Sequence, residues 1–132
     1  MKFEDAVMVM SLRIEVFVAD VEASGEFYRR VMAFDELSRQ PADGPAQYLW
    51  MGRGSARIGI GAGDAAIDPA TRHTPRGTEI VLEVDDLEAE LARVQETGWP
   101  IAAGLQTQPW GLRDFRLHDP DGYYLRITSR RH

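Results

Sequence analysis

The side chains best suited to chemistry lie on one face of a predicted β-hairpin at residues 110–128. This segment, WGLRDFRLHDPDGYYLRIT, alternates apolar and polar residues on both sides of a DPDG turn at 119–122. Alternation with period two about a turn that contains proline and glycine predicts two paired strands. The polar face carries His118, Tyr124 and Arg126, which offer an acid or base, a hydroxyl group and a fixed cation. This face is therefore the first candidate for a functional site.

Three residues in or near this face each allow two interpretations, and a fourth is a weak candidate for catalysis. Arg126 can bind a carboxylate, phosphate or enolate oxygen of a ligand, or it can form an internal salt bridge with Glu79. Trp110 can stack on a planar or cationic ligand, or it can cover the edge of a sheet. His118 can be an acid, a base or a ligand, or a surface group beside the turn. Glu79 would be a poor general base because neighbouring cations lower the pKa of a carboxyl group.

A strand and a capped helix occur twice and would position these groups. Residues 12–18 alternate as a strand, Asp20 can cap a helix over about 21–33, and strands are predicted at 48–51 and 55–61, with a polar loop at 38–45. The pattern restarts with a strand at 79–84 and a helix at 87–97, which Asp85 or Asp86 can cap and Gly98 can end. Residues 100–109 are predicted as a loop or a short strand.

The two halves match at a fixed offset. The strand and cap that begin at Leu12 precede those that begin at Thr78 by 66 residues (78 minus 12). The predicted fold class is α+β: two βαβββ modules that form a curved mixed sheet, a half-barrel, with the helices outside. We expect an N-terminal arm at 1–11, a first module at 12–63, a linker at 64–77 and a second module at 78–132, within one domain. The concave face between modules is the expected ligand cavity.

Alternation also assigns side chains of the first module to the cavity or to the core. Phe17 projects on the same side as Arg13 and would line the cavity or a dimer contact. Tyr48 and Trp50 share one face and are expected in the core. Leu49 and Met51 would then face the cavity, with methionine as an adaptable wall.

Composition limits the classes of function. The chain has 132 residues, 15 basic against 21 acidic, and no cysteine. The net charge of −6 argues against nucleic acid and mildly favours a neutral or cationic ligand. No apolar run approaches the roughly 18 residues that a membrane helix needs, and the acidic start does not resemble a secretion signal. We expect a cytoplasmic protein without disulfides and without a membrane partner.

Three motifs carry a resemblance to a known family. VADVEASGEFYRRVMAF, EVDDLEAELARVQETGW and PWGLRDFRLHDPDGYYLRI resemble the vicinal oxygen chelate superfamily, which includes glyoxalase I, extradiol dioxygenases, fosfomycin resistance enzymes and bleomycin resistance proteins. The resemblance covers roughly residues 12–129 and implies the duplicated fold. The last motif and the acidic charge are closest in character to the bleomycin-resistance branch, which lacks the metal ligands and binds a cationic drug in grooves across a homodimer.

The resemblance also implies where a metal would sit, because enzymes of the superfamily take one His, Glu or Gln from each of four strands. Those positions fall on Arg13, near Gly59, on Glu79 and on Arg126. Arginine stays protonated and has no acceptor, and glycine has no side chain, so we expect no metal and no cofactor. We expect Arg13, Glu79 and Arg126 to form a charge cluster instead.

These observations favour a metal-independent protein that binds a small organic molecule, acts as a homodimer and sequesters an antibiotic or toxin. One alternative is a lyase, isomerase or dioxygenase with an altered site, and another is a regulatory or partner-binding module. No catalytic residue is assigned. The residues expected to contact a ligand are Arg13, Phe17, Met51, Glu79, Trp110, His118, Tyr124 and Arg126.

Overall fold

The computed structural model describes residues 10–63, 68, 72 and 75–130. Most of the predicted N-terminal arm at 1–11 lies outside these residues, since the described part begins at residue 10. So does most of the predicted linker. Met10 itself belongs to no strand and is 91% exposed. None of the helices described is long and apolar enough to span a bilayer.

The first module contains four strands and one helix. They are β1 (Ile14–Val18), α1 (Val21–Arg30), β2 (Asp35–Gln40), β3 (Tyr48–Arg53) and β4 (Ala56–Ala62). The strand order is β1-β4-β3-β2, with β1 parallel to β4 and the other pairs antiparallel. The predicted cap is confirmed, because the Asp20 side chain accepts a hydrogen bond of 3.0 Å from the amide of Ala23.

The second module repeats this order. It contains β5 (Ile80–Val84), α2 (Leu87–Glu96), β6 (Ala103–Thr107), β7 (Arg113–His118) and β8 (Tyr124–Ser129), in a sheet ordered β5-β8-β7-β6. Of the two candidate caps, Asp86 is the one used, and its side chain accepts from the amide of Ala89 at 3.0 Å. Gly98 has a positive φ of 80°, as expected after the end of α2. The predicted fold class, two βαβββ modules of α+β type, is confirmed.

Strand β2 is a correction, because it ends at Gln40 and so overlaps the polar loop predicted at 38–45. Its sequence, DELSRQ, is polar throughout and almost all of its side chains are exposed. The strand lies at the edge of its sheet, where backbone hydrogen bonds to β3 hold it without an apolar face. Helix α1 is also shorter than predicted, since Ala33 has a positive φ of 59°.

The two modules share one apolar core. The predicted hairpin is confirmed as β7 and β8, with Phe115, Leu117, Leu125 and Ile127 fully buried on its inner face. Three kinds of contact then join the modules. The Phe27 and Trp99 rings lie 4.7 Å apart, the hydroxyl of Tyr28 donates to Asp119 at 2.7 Å, and Arg53 forms an ion pair with Glu90 at 2.7 Å.

Candidate functional site

Each sheet has one face packed into the core and one face that no helix covers, which we call its open face. Cross-strand partners lie on the same face of a sheet, so the strand register identifies the residues. On the first sheet the open face includes Glu15, Phe17, Tyr48, Trp50 and Gly59. On the second sheet it includes Asp114, Arg116, His118, Tyr124, Arg126 and Thr128.

The assignment of β3 to its two faces corrects the sequence analysis. Leu49 and Met51 were expected in the cavity, but both are only 1% exposed and belong to the core. Leu49 lies directly under helix α1, since a Cβ added to Gly25 would be 2.3 Å from its Cδ1 atom. Tyr48 and Trp50, expected in the core, lie on the open face. Alternation separates the two faces of a strand but does not show which one a helix will cover.

On the first open face an acidic group is surrounded by aromatic rings. The hydroxyl of Tyr48 donates to Glu15 at 2.9 Å, and burial together with this bond raises the pKa of Tyr48. The Nε atom of Arg13 lies 3.3 Å from the same carboxylate, and its guanidinium carbon is 5.6 Å from the centre of the Trp50 ring. The Arg13 side chain is 62% exposed, so this contact is loosely held.

Gly59 leaves the space in which the side chains of Glu15 and Tyr48 meet. A Cβ atom at this position would lie 2.1 Å from Oε2 of Glu15 and 2.1 Å from the hydroxyl oxygen of Tyr48. We expect Gly59→Ala to separate the two side chains and to lower the free energy of unfolding by about 1–2 kcal/mol. Urea denaturation measures this change. Gly104→Ala is the matched control, since a Cβ there meets nothing within 4 Å, and it should change stability by less than about 0.5 kcal/mol. Equal effects of the two substitutions would contradict the assignment.

On the second open face two arginines lie directly opposite each other on β7 and β8. Arg116 is held by Asp114 at 3.3 Å and by the hydroxyl of Tyr124 at 3.2 Å, and these bonds raise its pKa. Arg126 donates from Nη1 to Glu79 at 3.3 Å. Its guanidinium carbon lies 5.6 Å from the centre of the Trp110 ring.

Of the remaining predicted ligand contacts, three lie on the open faces or at their edge. The rings of His118 and Tyr124 contact each other at a tilt of 58°, with ring centres 5.2 Å apart. Phe17 and Trp110 are large apolar side chains that stay 58% and 51% exposed. The predicted cluster of Arg13, Glu79 and Arg126 is wrong. These residues belong to two ion pairs on separate sheets, Arg13 with Glu15 and Arg126 with Glu79.

The residues at the four positions that the resemblance assigns to metal ligands do not fit a divalent ion. Arg13 and Arg126 are cations engaged with carboxylates, Gly59 has no donor, and Glu79 is the partner of Arg126. A protonated guanidinium group cannot donate an electron pair to a metal. Within the described part of the chain, no three His, Cys, Asp or Glu side chains come together as a metal site would require.

Some residues of these faces were not singled out from the sequence. Arg116 and Asp114 share the alternation of His118, and their parity alone would have placed them beside Arg126. Tyr48 and Trp50 were assigned to the wrong face.

A groove of about 860 Å³ lies elsewhere, between β5 and the start of β4, on the core side of the sheets. It is lined by apolar residues such as Ile58, Ile80 and Leu82. Charged side chains that line the groove form ion pairs with each other, Arg53 with Glu90 and Arg130 with Asp85. None of the predicted ligand contacts lines this groove. The open faces, where aromatic and charged groups converge, therefore remain the candidate site.

Solved structures with the same fold have been determined for several bacterial proteins. TioX from Micromonospora sp. ML1 is 25% identical, with a TM-score of 0.71 over 90% of this chain and 98% of its own. A glyoxalase/bleomycin resistance protein from Streptomyces sp. CB03234 is 26% identical, with a TM-score of 0.65 over 91% and 100%. A bleomycin resistance determinant encoded on the transposon Tn5 is 21% identical, with a TM-score of 0.73 over 94% and 100%.

No curated protein matches the chain significantly. A family model does match, over residues 11–127, and it describes the Glyoxalase/Bleomycin resistance protein/Dioxygenase superfamily. The match covers both modules, and the motifs and the duplicated fold agree with it. The chain therefore belongs to the glyoxalase/bleomycin resistance protein/dioxygenase superfamily.

Proposed function

We propose that this chain binds a small organic molecule on its open faces without a metal ion and thereby sequesters a toxic compound such as an antibiotic. The observation that carries the proposal is the replacement of metal ligands. Arg13, Gly59 and Arg126 stand at three of the four positions concerned, and both arginines form ion pairs with glutamates. A site of this kind offers hydrogen bonds and charge to an organic ligand rather than electron pairs to a cation.

The aromatic groups of the open faces support binding of an organic ligand. Trp50, Trp110 and Tyr124 each lie within 5.7 Å of an arginine guanidinium carbon, measured to the ring centre. Aromatic side chains next to a few fixed polar groups are typical of small-molecule sites, where the rings supply contact area and the polar groups fix orientation.

We further propose that the protein is a homodimer in the cytoplasm, as the sequence analysis expected. Strands β1 and β5 each lie at the edge of a sheet and pair on one side only. Apolar side chains stay exposed beside these edges, among them Leu12 before β1 and Val81 on β5. Pairing with a second copy would cover both edges and the groove next to them.

Thermal denaturation with a panel of compounds tests the proposed function. Chelator-treated protein is heated with cationic drugs, neutral aromatics and small carboxylates, one at a time. A ligand specific for the native state raises the free energy of unfolding by about 2.7 kcal/mol when its free concentration is a hundred times Kd, which raises Tm by several degrees. We expect such a shift with at least one class of compound. If no compound of any charge changes Tm, the protein is not a binder of this kind.

A further inference from the structure

The guanidinium group of Arg126 is only partly satisfied. Its Nη1 atom donates to Glu79, at a long 3.3 Å, while its Nε atom is buried and has no hydrogen-bond partner among the described residues. A guanidinium group carries five N–H donors in a plane and can hold two carboxylates on different edges. A charged group with a buried donor that lacks a partner is incompletely compensated, so a further anion beside the guanidinium group would stabilise it.

The neighbours of Arg126 increase the demand for a negative charge. Arg116 lies directly opposite on the adjacent strand, and like charges in this arrangement repel. Asp114 is engaged with Arg116 and with the amide of Gln108. Glu79 is the carboxylate that reaches Arg126 from within the described part of the chain. An additional anion would therefore reduce the repulsion between the two guanidinium groups.

Trp110 places an apolar wall beside the same guanidinium group. The ring is half exposed, and it lies in a turn whose Gly111 has a positive φ of 92°. A planar ligand could contact this ring while its carboxylate meets the N–H donors of Arg126. The net charge of −6 does not oppose this. At physiological salt, exposed charges more than about 8 Å from the ligand are screened. The two arginines, in contrast, lie opposite each other on the face that the ligand would contact.

We propose that the second open face binds the carboxylate of an aromatic acid, with the guanidinium group of Arg126 as the donor and Trp110 as the wall that contacts the ring. This rests on the proposed function, since it names the class of ligand for one of its two faces. It also departs from the neutral or cationic ligand that net charge alone favours. Arg126 keeps its bond to Glu79, and the carboxylate binds to an N–H donor on the exposed part of the same group, whose side chain is 20% exposed.

The test compares three probes of similar size and different charge: benzoate, benzamide and benzylamine. Binding is measured by calorimetry, and the Nε–Hε signal of Arg126 is followed by NMR in protein labelled with ¹⁵N. We expect benzoate to bind most tightly and to shift this signal. Arg126→Lys keeps the positive charge but removes the planar edge, and it should weaken benzoate binding by about ten- to a hundredfold.

Arg113→Lys is the matched control, because Arg113 lies on β7 in an exposed ion pair with Glu88 and should leave benzoate binding unchanged. Benzoate binding that survives Arg126→Lys, or tighter binding of benzamide or benzylamine, would overturn the assignment while leaving a small-molecule binder. Absence of benzoate binding also overturns it. The proposed function fails separately, and only if the whole thermal panel gives no shift.

Discussion

Replacing Asp119 with alanine should lower the free energy of unfolding by about 2–4 kcal/mol. This carboxylate is 3% exposed and accepts three hydrogen bonds, from the hydroxyl of Tyr28 at 2.7 Å and from the amides of Asp121 and Tyr123 at 2.9 and 2.8 Å. Alanine would leave all three donors without their acceptor. Because Tyr28 belongs to the first module and Asp119 to the second, the loss also weakens the contact between modules. Urea denaturation measures the change.

Two further variants separate the loss of the Tyr28–Asp119 hydrogen bond from the other effects of removing the Asp119 carboxyl group. Tyr28→Phe removes only the hydroxyl, and combined with Asp119→Ala it should be less destabilising than the sum of the single changes, because both act on one hydrogen bond. Asp35→Ala is the control for loss of an exposed carboxyl group and should cost less than about 0.5 kcal/mol. Additive effects of Tyr28→Phe and Asp119→Ala would show that the two residues do not interact.

The pH dependence of this contact has a defined sign. Burial raises the pKa of Asp119 above its usual 3.8, although the bonds from Tyr28, Tyr123 and Asp121 oppose the shift. A pKa raised in the folded state means that the folded protein binds the proton more tightly than the unfolded chain. Its contribution is therefore fully present below about pH 3.8 and is lost as pH rises through the folded pKa. Asp119→Asn should remove this dependence.

Replacing Glu90 with alanine should cost about 1–3 kcal/mol. Glu90, on α2, is 5% exposed and receives two hydrogen bonds from Arg53, at 2.7 and 2.9 Å, and one from Arg93. Removing the carboxylate leaves two guanidinium groups facing each other across the junction of the modules. The loss stays moderate because both arginines are about one-third exposed and can bind water instead. Urea denaturation of the variant measures it.

Glu88→Ala is the control, since Glu88 lies on the same helix in an exposed ion pair with Arg113 and should contribute less than about 1 kcal/mol.

The pH dependence of Glu90 is opposite to that of Asp119. Burial would raise its pKa, but the hydrogen bonds from Arg53 and Arg93 outweigh burial and lower it below 4.5. Its contribution is present above about pH 4.5 and is lost as pH falls. A loss for Glu90→Gln that grew towards acid pH would contradict this.

The parts of the fold that could be predicted from sequence are those in which a local pattern, such as a capping residue or a turn, occurs beside a matching pattern of buried side chains. Both helix caps, Asp20 and Asp86, and the β7–β8 hairpin follow from short-range patterns that the structure keeps. Strand β2 could not be predicted in this way. It is an edge strand with polar side chains on both faces, so its stability comes from backbone pairing with β3, which leaves no pattern in the sequence.

The candidate site was predicted less completely than the fold. The ion pair of Arg126 with Glu79 is one of the two interpretations that the sequence left open for this arginine, and the structure contains it. Trp110, expected either to contact a ligand or to cover the edge of a sheet, is half exposed. The face of β3 was predicted wrongly, because the choice between Leu49 and Tyr48 depends on where α1 packs. The partner of Arg13 is Glu15, two residues further along the chain, rather than Glu79, since the two open faces belong to separate sheets.

The most direct test of the central claim is the affinity of a ligand found in the thermal panel, measured by calorimetry with and without divalent metal. The protein is first treated with chelator, and then Mg²⁺, Mn²⁺, Ni²⁺ or Zn²⁺ is added. The account predicts the same Kd in every case, because arginines occupy the positions of metal ligands. Binding that requires a metal, with one equivalent retained per chain, would contradict it.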